Sequence, residues 1–387
     1  MSSTITTIPV RLGFTPATAA IDDPDHPGLR RAGPRTSGPY GTKDVELHTC
    51  TATDLAQDPA VAPDLFGLGF DTVDLTPLDD LQQTLRRVAA AGRIADDDAA
   101  LVRAALDGAA LRCSSGATAT VLHIADEGFI MRSSGPNRRS VTRPESTDMN
   151  DHGAATSVHA DQDVYGTPLR QVMDGRAPSL LRHDSPDGHN HDASLMLANL
   201  WIPLQQIVQP LVLADPRTVD RRRHQLRYGL PTGSFLERDD DMAINDIWTF
   251  LHDPDQRWFL RSEMDHTSAY LFNTLSAPHG ACTLPGEDVA ERCFLALADA
   301  EAAVADGDAA ALVEALAPAA DVAVPAEATP ALQAAIEAMA SVAATARRDP
   351  TTTCGEGAEA WTATSRAARD RVIRRSLELR LVVSVAA

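Results

Sequence analysis

A chain of 387 residues, 44% of them hydrophobic, is long enough to bury a large core and too apolar to be disordered throughout. Its formal net charge of −20 repels phosphate backbones, which excludes nucleic acid and anionic membrane surfaces as expected partners. Five scattered cysteines with no Cys-x-x-Cys pair exclude a disulfide framework or zinc knuckle and suit a reducing, cytoplasmic setting.

Residues 1–45 are rich in Pro, Gly, Asp and Arg, lack the basic and apolar blocks of a signal peptide, and predict an irregular N-terminal arm. Helical periodicity begins at Thr76, which suits an N-cap; Leu78, Leu81, Leu85 and Val88 form one stripe, and Gly92 ends it. A second helix is expected over 95–106, stopped by Gly108. The pattern then shortens to strands: Thr118–Ile124 paired with 129–132, then 157–160, Leu195–Pro203, 210–214, 248–251, 257–261, 268–275 and 292–297. Many short strands separated by turn signals predict a mainly β fold, a barrel or a double-sheet jelly roll, with flanking helices. The polar stretch 133–156 reads as a long loop and, from its length, as a lid. Past residue 298 the chain becomes Ala-rich and helical, and no apolar run approaches the ~20 residues of a membrane helix. Three parts are therefore expected: the arm 1–45, a β domain 46–298, and a helical extension 299–387 that packs on the β domain or pairs two copies as a homodimer.

Chemistry concentrates at His159-Ala160-Asp161, the single His-x-Asp of the sequence. Two residues apart on a strand, both side chains point to one face. Pro278-His279 offers a second imidazole far downstream. Two imidazoles and a carboxylate can cap one face of an octahedron around iron(II) and leave three positions open. The same three residues could hold zinc with a bound water, and the plain alternative is a core histidine beside a turn aspartate. Arg292 follows 13 residues after His279, at the start of an apolar run where an unpaired guanidinium is costly to bury. Its planar fork suits a carboxylate such as the distal one of 2-oxoglutarate; the ordinary alternative is a salt bridge with Glu287 or Glu291. Asn199 and Trp201, on one strand, are candidates to orient bound ligands, with Trp201 equally suited to plain core. His189-Asn190-His191-Asp192 and Asp239-Asp240-Asp241 read as solvated loops, and Arg221-Arg222-Arg223 as a solvated helix face.

Several blocks in shared order carry a resemblance. Gly69-Phe70-Asp71-Thr72-Val73, the stretch 121–132 ending in Arg132, Val158-His159-Ala160-Asp161, Asn199-Leu200-Trp201-Ile202-Pro203-Leu204 with Pro210-Leu211 and Ala214-Asp215, Pro278-His279 and Glu291-Arg292 occur in sequence. In these the chain resembles the non-haem iron(II)/2-oxoglutarate oxygenases that include the cephalosporin 7α-hydroxylase component and the fungal endoperoxide-forming meroterpenoid oxygenase. Ile202 stands where that family's block has arginine, residues 205–267 are longer than expected, and 299–387 fall outside the match. The resemblance implies a double-stranded β-helix with His159, Asp161 and His279 as iron ligands.

The resulting expectation is an Fe(II)- and 2-oxoglutarate-dependent oxygenase that uses O2 to hydroxylate, desaturate or cyclise a small natural-product-like molecule of secondary metabolism. Asp161 argues against halogenation, which needs that ligand position vacant. The rivals are a zinc hydrolase on the same triad, with a bound water as nucleophile, and a non-catalytic binding or scaffold protein.

Overall fold

The structure is a computed structural model that describes residues 7–24, 27–33, 45–58, 61–125, 129–141, 149–150, 152–155, 157–161, 195–231, 244–275, 277–320 and 322–386. The first strands are β1 (Thr7–Phe14), β2 (Ala20–Asp22), β3 (Arg30–Ala32), β4 (Glu46–Asp54) and β5 (Phe70–Asp74). Helices α1 (Asp79–Ala91) and α2 (Asp96–Leu106) follow. The middle of the chain gives β6 (Ala110–Cys113), β7 (Thr118–Ile124), β8 (Ile130–Ser134), β9 (His159–Ala160), β10 (Leu195–Pro203) and β11 (Leu211–Ala214). After the one-turn α3 (Arg221–His224) come β12 (Gln225–Pro231), β13 (Ile244–Phe250), β14 (Trp258–Leu260), β15 (Ser268–Asn273) and β16 (His279–Ala281). The remainder is α4 (Glu287–Ala305), α5 (Ala309–Ala315), α6 (Pro330–Arg348), α7 (Pro350–Cys354), α8 (Ala358–Asp370) and β17 (Arg374–Ala386).

The strands form two sheets. One has ten strands in the order β1-β4-β14-β11-β16-β9-β13-β12-β3-β2. The other runs β10-β15-β5-β6-β7-β17-β8, and β10 also pairs with β17, so six of its strands close into a ring. Side-chain alternation sorts the faces. On β10, Met196, Ala198, Leu200 and Ile202 pack with Leu81, Leu85, Val88, Val102 and Leu106 of α1 and α2. Trp201 faces the other way and joins Phe70, Tyr270 and Phe272 against Leu211, Leu213 and Phe259 of the ten-stranded sheet. The candidate site side chains lie in this inter-sheet layer.

Helix α1 begins at Asp79 rather than at Thr76, because the backbone N–H and hydroxyl of Thr76 both donate to Asp74 Oδ1, at 2.9 and 2.6 Å. A side chain committed to that turn does not cap the helix. Gly92 closes α1 in the left-handed region at φ 67°, its N–H reaching the Val88 and Ala89 carbonyls.

Several expectations are corrected. Residues 7–14 are not an irregular arm: Ile8, Val10 and Leu12 alternate into the core, and β1 pairs with β4 along its whole length. Strands β7 and β8 do not pair with each other; they lie end to end along one edge of β17. The helical extension takes the first of its two expected placements, with α4, α6 and α8 packed on the outer face of the ten-stranded sheet through Leu297, Ile336, Met339 and Trp361. Its last element is no helix but β17, which pairs with β10 over nine positions. The span 292–297 is helical: acidic Glu287 and Asp288 sit in the first turn of α4, and Val289, Cys293, Ala296, Leu297 and Ala300 are buried at helical spacing. All five cysteines are free, and no helix among the described residues is long and apolar enough to cross a membrane.

Candidate metal centre

Strand β9 lies between β16 and β13 in the ten-stranded sheet, with His159 directly opposite His279 of β16. Directly opposed antiparallel residues share a face, so both imidazoles enter the inter-sheet layer, their ring centroids 4.4 Å apart. Asp161, immediately after β9, faces them. Its Oδ1 lies 3.6 Å from His159 Nε2 and 3.7 Å from His279 Nε2.

Both rings are oriented from behind by backbone. His159 Nδ1 is 2.9 Å from the Ser157 carbonyl, and His279 Nδ1 is 2.9 Å from the Ala277 carbonyl. A carbonyl only accepts, so each Nδ1 carries the proton and each Nε2 presents a lone pair towards Asp161. Among the described residues these three are the group of His, Cys, Asp or Glu side chains whose donor atoms lie close enough to hold a metal ion, all within 4.8 Å of one another. Burial alone would raise the Asp161 carboxyl, but His279, His159 and Arg380 hold it well below the usual carboxylate range. Burial and the neighbouring His159 push His279 down to about 4, so that it is neutral near pH 7 and able to ligate.

The opposite wall belongs to β10 and β17. Asn199 donates from Nδ2 to Asp161 Oδ2 at 3.1 Å, and Arg380, its cross-strand partner, brings Nη2 to 3.9 Å from the same oxygen. Further along β17, Arg374 is 2% exposed and holds its guanidinium 5.3 Å over the Trp201 ring. Its Nε and Nη1 have no hydrogen-bond partner, and Trp201 Nε1 and Ser376 Oγ are likewise buried and unpaired. Burial pulls the Arg374 guanidinium down to about 10 despite the nearby Glu378. Glu378 is itself engaged by Arg132 Nε at 2.8 Å.

The structure therefore brings together His159, Asp161, His279 and Asn199, and places Trp201 on the same inter-sheet face. It does not bring Arg292. That residue is exposed in the second turn of α4, where its charge is solvated and no buried carboxylate needs it. Apolar residues at 293–297 fit a buried strand by sequence, but they form a helical stripe that leaves position 292 outside. The arginines that do reach the layer, Arg374 and Arg380, had no local signal beyond the alternation of Leu377, Leu379, Leu381 and Val383 around them. The stretches 189–192 and 239–241, and the central part of the expected lid, lie outside the described residues.

No protein family and no curated protein matches the chain. Among solved structures it is similar to the iron and alpha-ketoglutarate-dependent endoperoxidase NvfI, with 13% identity and a TM-score of 0.46 over 98% of each chain. The same enzyme in a different conformation gives 14% identity and a TM-score of 0.44 over 99% of each chain.

Proposed function

We propose that this protein is an Fe(II)- and 2-oxoglutarate-dependent oxygenase that hydroxylates, desaturates or cyclises a small molecule, on a core organised as a double-stranded β-helix. The observation that carries the reading is the convergence of two Nε2 lone pairs on one carboxylate, with both Nδ1 atoms fixed by backbone carbonyls.

The donor set fits iron(II): two imidazoles and one carboxylate, their ligating atoms all within 4.8 Å of one another. His159, Asp161 and His279 would hold the metal. Bound iron(II), with 2-oxoglutarate and O2 as co-substrates, supplies the oxidising chemistry. The chain's own task is to bind and orient. Arg374 is buried and presents unpaired Nε and Nη1 groups, and a buried guanidinium calls for an anion. We assign it, in place of Arg292, to the distal carboxylate of 2-oxoglutarate, with the Trp201 face as the wall beneath. Phe272, its ring 4.6 Å from that of His279, helps to exclude water from the ligand side.

A zinc hydrolase would use the same triad but gives no role to an unpaired arginine in the same layer. Anaerobic addition of Fe(II) and 2-oxoglutarate separates the two. A visible charge-transfer band is expected for the oxygenase; its absence from protein that has taken up stoichiometric iron would overturn the assignment.

A further inference from the structure

Resting on the reading of this centre as a metal site, we infer that Asn199 and Arg380 are positioning residues that confine Asp161 to a single metal bond through Oδ1. The two oxygens of Asp161 have different surroundings. Oδ1 faces both histidine Nε2 atoms, at 3.6 and 3.7 Å. Oδ2 accepts from Asn199 Nδ2 at 3.1 Å and lies 3.9 Å from Arg380 Nη2.

The arrangement is built rather than incidental. Asn199 and Arg380 oppose each other in the β10–β17 register, on the face that lines the inter-sheet layer. Neither is fully satisfied elsewhere: Asn199 Oδ1 and Arg380 Nε are buried without partners. A leucine at either position would pack at lower cost than these half-paired polar groups. What the polar groups do provide is a neutral donor and a positive charge on the oxygen that faces away from the histidines.

The consequence is a matter of coordination number. With one bond each from His159, Asp161 and His279, three of six octahedral positions stay open. A carboxylate that swung to bind through both oxygens would leave two, one fewer than a chelating keto acid and dioxygen need together. To swing, Asp161 would have to give up a hydrogen bond to Asn199 and an ion pair with Arg380 in a largely buried site, where both are stronger than in water.

Cobalt(II) tests this without turnover. The full-length protein would be titrated with Co2+ by calorimetry and its visible ligand-field spectrum recorded, for the wild type and for Asn199→Ala, Arg380→Gln and Arg380→Lys. One Co2+ is expected in the wild type. Asn199→Ala and Arg380→Gln are expected to weaken binding about 10- to 100-fold, as loss of outer contacts to a ligand does, and to change the spectrum. Arg380→Lys, which keeps the charge, should recover most of the affinity and guards against a folding defect in the glutamine variant. Unchanged affinity and spectrum in both disruptive variants would overturn the inference, whatever their thermal stability. Weaker binding with a wild-type spectrum would also overturn it, since the residues would then add affinity without fixing the binding mode. His279→Ala is the control for the underlying reading: wild-type protein that takes up no Co2+, or binds it no better than His279→Ala, overturns the metal site itself.

Discussion

Arg374 lies with its guanidinium 5.3 Å over the ring of Trp201, between two sheets, with Nε and Nη1 unpaired. A cation over an indole face gains on the order of 1–2 kcal/mol when desolvated. That is less than the several kcal/mol that burying an ion costs. That deficit is the ground on which Arg374 is proposed to meet an anionic ligand.

The 2-oxoglutarate requirement should therefore follow Arg374. Arg374→Gln is expected to raise the concentration needed for half-maximal succinate formation by one to two orders of magnitude, the loss of a buried charged hydrogen bond of about 1.5–3 kcal/mol. Arg292→Ala, at an exposed helical position, is expected to leave it unchanged. The reverse pattern would return the anchoring role to Arg292.

Iron retention should depend on His279. His279→Ala removes one of the two imidazoles that face Asp161 Oδ1. The variant is expected to elute from anaerobic desalting without stoichiometric Fe(II), read by a ferrous chelator assay. Full retention would mean that another residue supplies the third bond.

Truncation after residue 298 should abolish folding rather than release a soluble β domain. The deletion removes β17, which pairs with β10 along nine positions and buries Leu377, Leu379, Leu381 and Val383. At about 1.5–3 kcal/mol for each such side chain, the loss is comparable with the whole stability of a typical domain. Circular dichroism and size exclusion would show an unfolded or aggregated product. A compact monomer with a cooperative melt would contradict the topology.

The buried carboxylate of Glu287 should make stability pH-dependent. Burial pushes it from 4.5 up to about 7, although the backbone N–H groups of Leu284 and Asn137 donate to it. Between those values the folded protein keeps a proton that the unfolded chain has released, so the contribution of Glu287 to stability falls as pH rises through the window. The fall is on the order of 3 kcal/mol. Glu287→Gln cannot ionise and differs only by a pH-independent offset. Urea denaturation from pH 4.5 to 7.5 should show wild-type stability dropping relative to the variant. The difference isolates Glu287 from His279, whose lowered value acts in the opposite sense. A constant difference across the range would mean that Glu287 is already ionised in the fold.

Much of this molecule is written locally. The stripe of α1 and its closing Gly92, the bounds of β7 and β10, and the pairing of a histidine with an aspartate two residues on all follow from short-range periodicity, because helix and strand fix which neighbours share a face. Strands β1 and β17 also alternate, Ile8-Val10-Leu12 and Leu377-Leu379-Leu381, but Pro9 in the first and an Ala-rich helical run before the second masked the period. Apolar residues beside Arg292 fitted a strand as well as a helix, and the acidic first turn of α4 decided between them. Which arginine meets the centre had no local answer. Arg380 reaches Asp161 because β17 lies beside β10 in a register that sets it opposite Asn199. Register between strands so distant in sequence is decided by the closing of the sheet around its buried face, and that is a property of the whole fold.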